Sequence, residues 1–500
     1  MNTDCRSLLV GNGLDIQLGG DDFLNKWIIV RLLAKAKIGK YDVLFLNEED
    51  STPLISGDEI VELFRNMVMY ANKALNNEYD ELVDDYKDRD LVDALKDFKK
   101  SHNQDIKSIE EIGMEDWLLI FLLILLKERD ILDQYELIKQ AFERMIFDAI
   151  YCDGYIQTLH SKMNKRAKKC FDNYDNLFTL NYDNTLEDAI KKTVFHLHGD
   201  FRTKYHSENE ETALGYYRIH SGHSVSFPNN YEQCNCSAIL DFSGNRKYKY
   251  AEKMTSAYFA FENIKEQIQT NKIESKHILE KLPEDQVEFT KIGIEKNLRM
   301  GENYHFVDFE ELTGTLEIIG LAPQNDSHIF SSINKSNLKN IIFYHYFGSK
   351  SEEEIEAEIK IMQLPVDKDY EIKSVETIWR NTGISKPSNE SNSISRQQLD
   401  VLNAFNSKSP ISMSDILWQL NSIPKYTRRA IIEMMKYEIR KSRYHNTPQN
   451  ENELSKNFYD FGRTLDIVSL SPQTLYYLYI TSLQTNNKAK NHSKKRRKHK

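Results

Sequence analysis

The sequence predicts an α/β fold in which a mostly parallel sheet carries a large helical insert and is followed by a C-terminal helical domain. Three observations support this prediction. A short apolar run at residues 7–10 ends at a glycine turn and leads into a helical pattern. Two more apolar runs, at 176–180 and 193–197, are each followed by ionisable residues. Strand-like runs return at 315–319 and 340–344.

The composition is that of a globular chain. It has 500 residues, of which 40% are hydrophobic, and this length suggests roughly two to four domains. The net charge of -10 argues against coating by nucleic acid. The five cysteines are scattered without paired Cys-x-x-Cys spacing, which favours a reducing compartment. We therefore expect a cytoplasmic protein.

No membrane association is expected. The first residues lack the basic-then-apolar pattern of a signal peptide. The most apolar stretch, residues 117–126, is far shorter than the roughly 20 residues that span a bilayer. We interpret it as a buried helix.

The N-terminal half combines strand signals with a long helical region. The apolar run at 7–10 breaks at Gly11-Asn12-Gly13-Leu14-Asp15, and residues 23–36 have helical spacing. Residues 43–46 are a candidate for a further short strand. Residues 58–169 form the predicted helical insert, whose acidic stretch at 78–90 is interpreted as a solvated face.

The predicted sheet domain covers residues 1–350. A short helix at 184–192 separates the strands at 176–180 and 193–197, and the irregular, aromatic-rich residues 204–310 are interpreted as a lid or substrate subdomain. The strand at 340–344 is expected to end the sheet.

The remaining residues are predicted to lie outside the sheet. Residues 351–395 form a connector with a Ser/Asn-rich linker, 396–485 a separate helical domain, and 486–500 a basic disordered tail.

Polar residues follow the predicted strands, where parallel sheets bind ligands. Asn181 and Asp183 are two apart and so share one side of an extended segment, where they can orient a water or hold a sugar hydroxyl. They can equally cap the helix at Asn184. His196 and His198 also share a side, and one of them is expected to be structural.

Two interpretations remain open for the polar residues of the turn after residue 319. Asp326 and His328 either face the crevice or satisfy loop backbone. Metal binding by the two histidines at 196 and 198 lacks a third ligand at a suitable spacing, so no metal is expected. The glycine turn offers backbone N–H groups at a helix N-terminus, which suits a phosphate or ribose. A tight turn without a ligand explains it equally well.

Three ordered motifs resemble the AbiH family of bacterial abortive-infection proteins. They are Leu9-Val10-Gly11-Asn12-Gly13-Leu14-Asp15, Leu180-Asn181-Tyr182-Asp183-Asn184-Thr185-Leu186-Glu187 and His196-Leu197-His198-Gly199. That family is similar to a branch of the sirtuin-like NAD-binding fold. Residues 58–169 and those beyond about 350 carry no such resemblance.

The resemblance implies a Rossmann-like, sirtuin-like sheet that binds NAD as substrate. Gly11, Asn12, Gly13 and Asp15 would surround the phosphates and ribose, with Gly320 and Asp326 closing the nucleotide site. Asn181 would position the water or the nicotinamide ribose, Asp183 would hold the carboxamide, and His198 would be the base. A histidine near its ordinary pKa suits the activation of a water.

The chain also departs from the sirtuin deacylases. Those enzymes carry a Gly-Ala-Gly-x-Ser turn and a four-cysteine zinc module, whereas this chain has Gly11-Asn12-Gly13-Leu14-Asp15 and no such module. Hydrolysis of NAD to nicotinamide and ADP-ribose is therefore expected rather than protein deacylation.

Three functions remain open. The first is an NAD glycohydrolase activated by a phage-derived trigger and held silent by homo-oligomerisation. The second is a nucleotide sensor that signals through the C-terminal helical domain. The third is a nucleic-acid-directed defence protein, which only the basic tail at 488–500 suggests.

Overall fold

The structure is a computed structural model. It describes residues 5–46, 52–86, 89–102, 104–129, 135–201, 211–212, 216, 236–270, 284–322, 326–348, 351–361, 368–387, 412–444, 470–471, 474–475 and 477–478. The predicted basic tail at 486–500 lies outside these residues, as does the Ser/Asn-rich linker beyond residue 387. Of the predicted lid at 204–310, residues 271–283 and nearly all of those before 236 also lie outside them.

Six parallel strands form one sheet in the order β3-β2-β1-β4-β5-β6. The strands are β1 (Arg6–Val10), β2 (Asn176–Thr179), β3 (Phe195–His196), β4 (Thr313–Ile319), β5 (Asn337–His345) and β6 (Asp369–Ser374). The order reverses between β1 and β4, as it does in doubly wound nucleotide-binding sheets. The α/β, parallel-sheet prediction is confirmed, and the segments that follow the strands gather at one edge.

The helices account for most of the remaining described chain. In the first half they are α1 (Gly13–Gly19), α2 (Asn25–Lys37), α3 (Gly57–Arg65), α4 (Met67–Leu75), α5 (Asp80–Tyr86), α6 (Arg89–Ser101), α7 (Met114–Arg129), α8 (Tyr135–Tyr151), α9 (Lys165–Asp172) and α10 (Thr185–Ile190). In the second half they are α11 (Gly244–Thr270), α12 (Glu284–Glu295), α13 (Phe306–Glu310), α14 (Ser327–Lys335), α15 (Glu352–Ile361), α16 (Val375–Thr382), α17 (Met413–Ser422) and α18 (Lys425–Tyr444).

Three expectations need correction. The sheet does not end at residue 344, because β6 pairs with β5 from Asn340↔Asp369 to His345↔Ser374. This strand is at the edge and partly exposed, so it lacks the apolar run of a central strand. Residues 42–44 form a 3₁₀ turn rather than a strand. The supposedly irregular region at 204–310 contains the 27-residue helix α11.

One compact unit contains the sheet and comprises Met1–Leu18, Asn72–Asp105 and Gly113–Lys386. The strands contribute an apolar core with helices α13 and α14, in which Leu9, Phe178, Leu316, Ile318, Ile329 and Phe343 are almost fully buried. Central strands that are buried this completely appear in the sequence as predominantly apolar runs. This explains why β1 and β4 were readily found in the sequence.

A second compact unit comprises Gly19–Ala71, Ile106–Ile112 and Pro387–Lys500. Its core joins α2, through Trp27, Val30 and Ala34, to residues of α17 and α18 such as Ile416 and Met434. The predicted helical domain at 396–485 thus shares its core with a helix from the start of the chain, because the apolar face of α2 completes it.

A buried polar network lies inside this second unit. Arg31 Nη1 donates to Asp22 O at 2.5 Å and to Thr427 Oγ1 at 3.0 Å. Asp22 Oδ1 accepts from Thr427 N at 2.9 Å. Each buried charge thus has several partners, as burial requires.

Helix α7 contains the apolar stretch at residues 117–126, and all ten of these side chains are buried. In the part of the chain that is described, no helix combines the length and apolarity needed to cross a membrane.

Candidate functional site

Two glycine turns meet where the strand order reverses. Gly11 N donates to Ile319 O at 2.8 Å, and Gly13 N donates to Gly320 O at 3.0 Å. A Cβ on Gly13 would lie 2.4 Å from Gly320 Cα, so only glycine allows this approach. The N–H groups of Gly11 and Gly13, expected to face a phosphate, are therefore engaged within the protein in this conformation.

Asp15, Asn181 and Asp183 form a buried polar cluster above β1 and β2. Asn181 Nδ2 donates to Asp15 Oδ2 at 3.0 Å, and Asp183 Oδ1 accepts from Thr185 N at 2.7 Å. Their exposed fractions are 2%, 9% and 5%, respectively. The sequence thus placed Asn181 and Asp183 correctly on one side, and Asp183 also caps α10.

The two carboxyl groups of this cluster are held together in an apolar setting. Burial raises the pKa of Asp15 well above its usual range, and the adjacent Asp183 carboxyl raises it further. Asp15 Oδ1 and Asp183 Oδ2 both lack a hydrogen-bond donor among the described residues. We interpret the pair as one in which a proton on Asp15 bridges to Asp183 and satisfies both oxygens.

A cavity of about 10 Å³, roughly the space that one water needs, lies beside this cluster. Its lining includes Asn181, Asp183, Thr185, Glu187 and His196. This volume is below the roughly 300–1,000 Å³ of pockets that enclose drug-sized ligands. The cavity has room for about one water, so a dinucleotide would need the site to open.

His196 is the structural histidine of the pair. Its Nδ1 lies 2.9 Å from Asn181 O and its Nε2 lies 3.2 Å from Glu187 Oε2. Burial opposes protonation of His196, but the hydrogen bond to Glu187 and the neighbouring carboxylates together raise its pKa. It fixes the backbone that carries the Asn181 side chain.

His198 faces His328 instead of the Asn181 cluster. The two Nε2 atoms are 2.9 Å apart and the rings stack, with centroids 5.1 Å apart. Burial lowers the pKa of His198 well below its usual range, and the charge of Lys247 acts in the same direction. The expectation of an ordinary pKa for His198 is therefore wrong for this conformation, while its assignment as the base stays a prediction.

Asp326 completes a second group with these histidines. One donor atom from each of His198, Asp326 and His328 lies within 4.8 Å of the others. Burial raises the pKa of Asp326 to about 7, and the positive charge of Lys247 opposes that rise. Burial lowers the pKa of His328 to about 3. Asp326 accepts a hydrogen bond from the Ala322 backbone, as the loop-backbone interpretation expected, while the His328 ring lies against His198.

Lys247, on α11, brings a positive charge to this edge of the sheet. Its Nζ donates to Glu115 Oε1 at 2.5 Å and lies 3.4 Å from the Tyr182 hydroxyl. The Tyr182 hydroxyl also donates to Ile239 O at 3.0 Å. Sequence reasoning missed Lys247 and Glu115, since neither follows a strand and both come from distant helices.

The sequence-predicted residues therefore divide into two groups. Asp15, Asn181 and Asp183 form one, and His198 and Asp326 belong to the other. Asn12, Gly11, Gly13 and Gly320 form the turns beneath them.

Comparisons of this chain with protein-family models, curated proteins and solved structures found no match.

Proposed function

We propose that this chain is an abortive-infection effector of the AbiH family that hydrolyses NAD to nicotinamide and ADP-ribose when triggered. The observation that carries the proposal is the cluster of Asp15, Asn181 and Asp183 at the carboxyl ends of β1 and β2. It lies beside the point where the strand order reverses, which is where nucleotides bind in doubly wound sheets. The sirtuin-like relationship and the cytoplasmic location are parts of the same proposal.

The proposed reaction breaks the bond between the anomeric carbon and the nicotinamide nitrogen. Nicotinamide leaves as a neutral molecule with the bonding electrons, and a water attacks the oxocarbenium-like carbon. The proton from that water passes to the Asp15–Asp183 couple, whose single shared proton leaves one site free to accept it. The Asn181 amide orients the water or the ribose. In this conformation His198 lies against His328 rather than beside the Asp15–Asp183 pair.

The burial of the site residues supports a mechanism in which a trigger must expose the site before substrate can bind. Asp15, Asn181, Asp183 and His198 are each at least nine-tenths buried. The adjacent cavity has room for about one water, so we expect the site to open before NAD binds.

The same burial favours one second candidate, a nucleotide sensor without turnover. Burial rigidly positions polar groups that recognise a small ligand, and binding would then change the conformation of the chain. In that case the nucleotide would bind tightly and remain intact.

The test compares wild-type protein with Asn181→Ala, using Asn176→Ala as the matched control. Asn176 begins β2 at the opposite end of the same strand, where its side chain donates to Ser7. Each protein is incubated with NAD, alone and in lysate from phage-infected cells, and nicotinamide and ADP-ribose are separated by chromatography. Release by wild type and Asn176→Ala, but not by folded Asn181→Ala, is the expected result.

Two outcomes would overturn the proposal. Undiminished release by Asn181→Ala would remove the cluster from the chemistry. Absence of release in both settings, with NAD or ADP-ribose bound and intact, would support the sensor.

A further inference from the structure

We propose that His198, Asp326 and His328 bind one divalent transition-metal ion. The site goes beyond the proposed hydrolysis of NAD and does not depend on it. Two imidazoles and one carboxylate are a donor set that Zn²⁺, Fe²⁺, Mn²⁺ and Co²⁺ share in proteins. The sequence did not predict this site, because its ligands come from two segments about 130 residues apart.

The separation of the two imidazole nitrogens indicates the coordination geometry. Metal–nitrogen bonds of about 2.1 Å that meet at a right angle place the nitrogens about 3.0 Å apart, whereas a tetrahedral angle places them about 3.4 Å apart. The observed Nε2–Nε2 distance is 2.9 Å. The geometry therefore fits adjacent positions of a six-coordinate ion, as in the facial arrangement of two histidines and one carboxylate.

The carboxylate is close enough to complete this arrangement. The donor atoms of the three residues lie within 4.8 Å of each other, so the carboxylate oxygen is at most about 2 Å beyond the roughly 3 Å that separates neighbouring ligands. Asp326 is partly exposed, while both histidines are almost fully buried. An ion can thus enter from the side of the carboxylate.

The fold holds the ligands at the ends of regular elements. His198 follows β3, while Asp326 and His328 stand at the start of α14, which follows β4. In the sheet, β2 and β1 lie between β3 and β4. The segment after β3 and the segment after β4 therefore extend over the ends of these strands, and this brings the His198 and His328 rings together. Ligands placed at the ends of strands and helices are positioned more precisely than ligands on long loops.

The charge around the group permits a cation. Asp326 supplies one negative charge, and the ion pair between Lys247 and Glu115 compensates the nearby ammonium. Three protein ligands leave up to three positions for waters or for the phosphate oxygens of a bound nucleotide.

The competing explanation is a hydrogen bond between two neutral imidazoles. In that arrangement one Nε2–H donates to the other Nε2, and the 2.9 Å distance needs no ion. The two explanations differ in metal stoichiometry, which can be measured directly.

The experiment measures metal binding to the full chain after treatment with a chelator. Mn²⁺, Co²⁺ and Zn²⁺ are added singly, and bound metal is counted by equilibrium dialysis with elemental analysis. The variants are His328→Gln and Asp326→Asn, and the control is His345→Gln, a buried histidine on β5. Circular dichroism verifies that each variant is folded, and Asp326→Asn is the milder change because Asp326 is partly exposed.

One equivalent of metal is expected in wild type and in His345→Gln, with at least ~100-fold weaker binding in the two ligand variants. Substoichiometric binding by wild type for all three ions would overturn the proposal. Equal affinity in folded Asp326→Asn and wild type would also overturn it. Because the readout is binding, a chain that holds the metal but leaves NAD intact would contradict only the proposed function.

Discussion

Replacing Asp15 with asparagine should stabilise the protein, although the residue lies in the candidate site. Asp15 is 2% exposed and next to Asp183, so the native state disfavours its charge. An asparagine oxygen can still accept the hydrogen bond from Asn181 that now measures 3.0 Å. Its amide nitrogen can donate to Asp183, whose Oδ2 lacks a donor among the described residues.

The size of this effect follows from two contributions. A hydrogen bond to a charged group contributes about 1.5–3 kcal/mol. Each unit by which the native state raises the pKa of Asp15 costs about 1.4 kcal/mol once the group is ionised. After allowing for imperfect geometry, we expect Asp15→Asn to raise the free energy of unfolding by about 1–3 kcal/mol near pH 8.

The gain should depend on pH with a definite sign. The native pKa of Asp15 lies above its unfolded value of about 3.9. Between these two values the native state binds more protons than the unfolded state, so wild-type stability falls as the pH rises. Asparagine does not titrate, so the advantage of Asp15→Asn should be small near pH 4 and increase towards pH 8.

Native-state hydrogen exchange of the β1 and β2 amides measures this change within the sheet-containing unit. It avoids treating a chain with two compact units as a single two-state system. Asp188→Asn is the control, because that carboxylate is partly exposed and pairs only loosely with the exposed Lys191, so the change should alter stability by less than ~0.5 kcal/mol. A loss of protection in Asp15→Asn at every pH, or a gain independent of pH, would refute the shared-proton interpretation.

Three further substitutions test other parts of the structure. Asp22→Ala leaves the buried Arg31 guanidinium without its carboxylate and should cost about 3–5 kcal/mol in urea unfolding of the second unit; a loss below ~1 kcal/mol would contradict this. Gly320→Ala places a Cβ 2.7 Å from Gly13 Cα at a φ of +72° and should cost at least ~2 kcal/mol, seen as a lower melting temperature. Burial raises the pKa of Asp116 to about 6, so wild-type stability should fall as the pH rises from about 4 to about 6, and urea midpoints of Asp116→Asn should lack that fall.

The sequence predicted best the features that depend on local apolar pattern. The strands at 176–180 and 315–319 are buried on both faces, so they appear as continuous apolar runs. Because parallel strands end at one edge, the sequence predicted that Asn181, Asp183 and His198 converge there. The structure joins Asn181 to Asp15 and places His198 against His328 instead.

The features that the sequence did not predict depend on contacts between distant segments. The β6 edge strand has few buried side chains and so lacks a strand-like apolar pattern. The contact of His328 with His198 could not be predicted, because the two residues are 130 positions apart. The depressed pKa of His198 depends on burial and on Lys247, a residue of α11 that sequence spacing does not connect to it.

The shared core of α2, α17 and α18 affects how the chain can fold during synthesis. Trp27 is translated about 390 residues before its core partner Ile416. At roughly 5–20 residues per second, the apolar face of α2 waits about 20–80 s for the helices that complete this core. Chaperones that bind exposed apolar surface have that interval in which to act. A chain that terminates before residue 412 never acquires these partners, so premature termination yields a substrate for proteolysis rather than a finished protein.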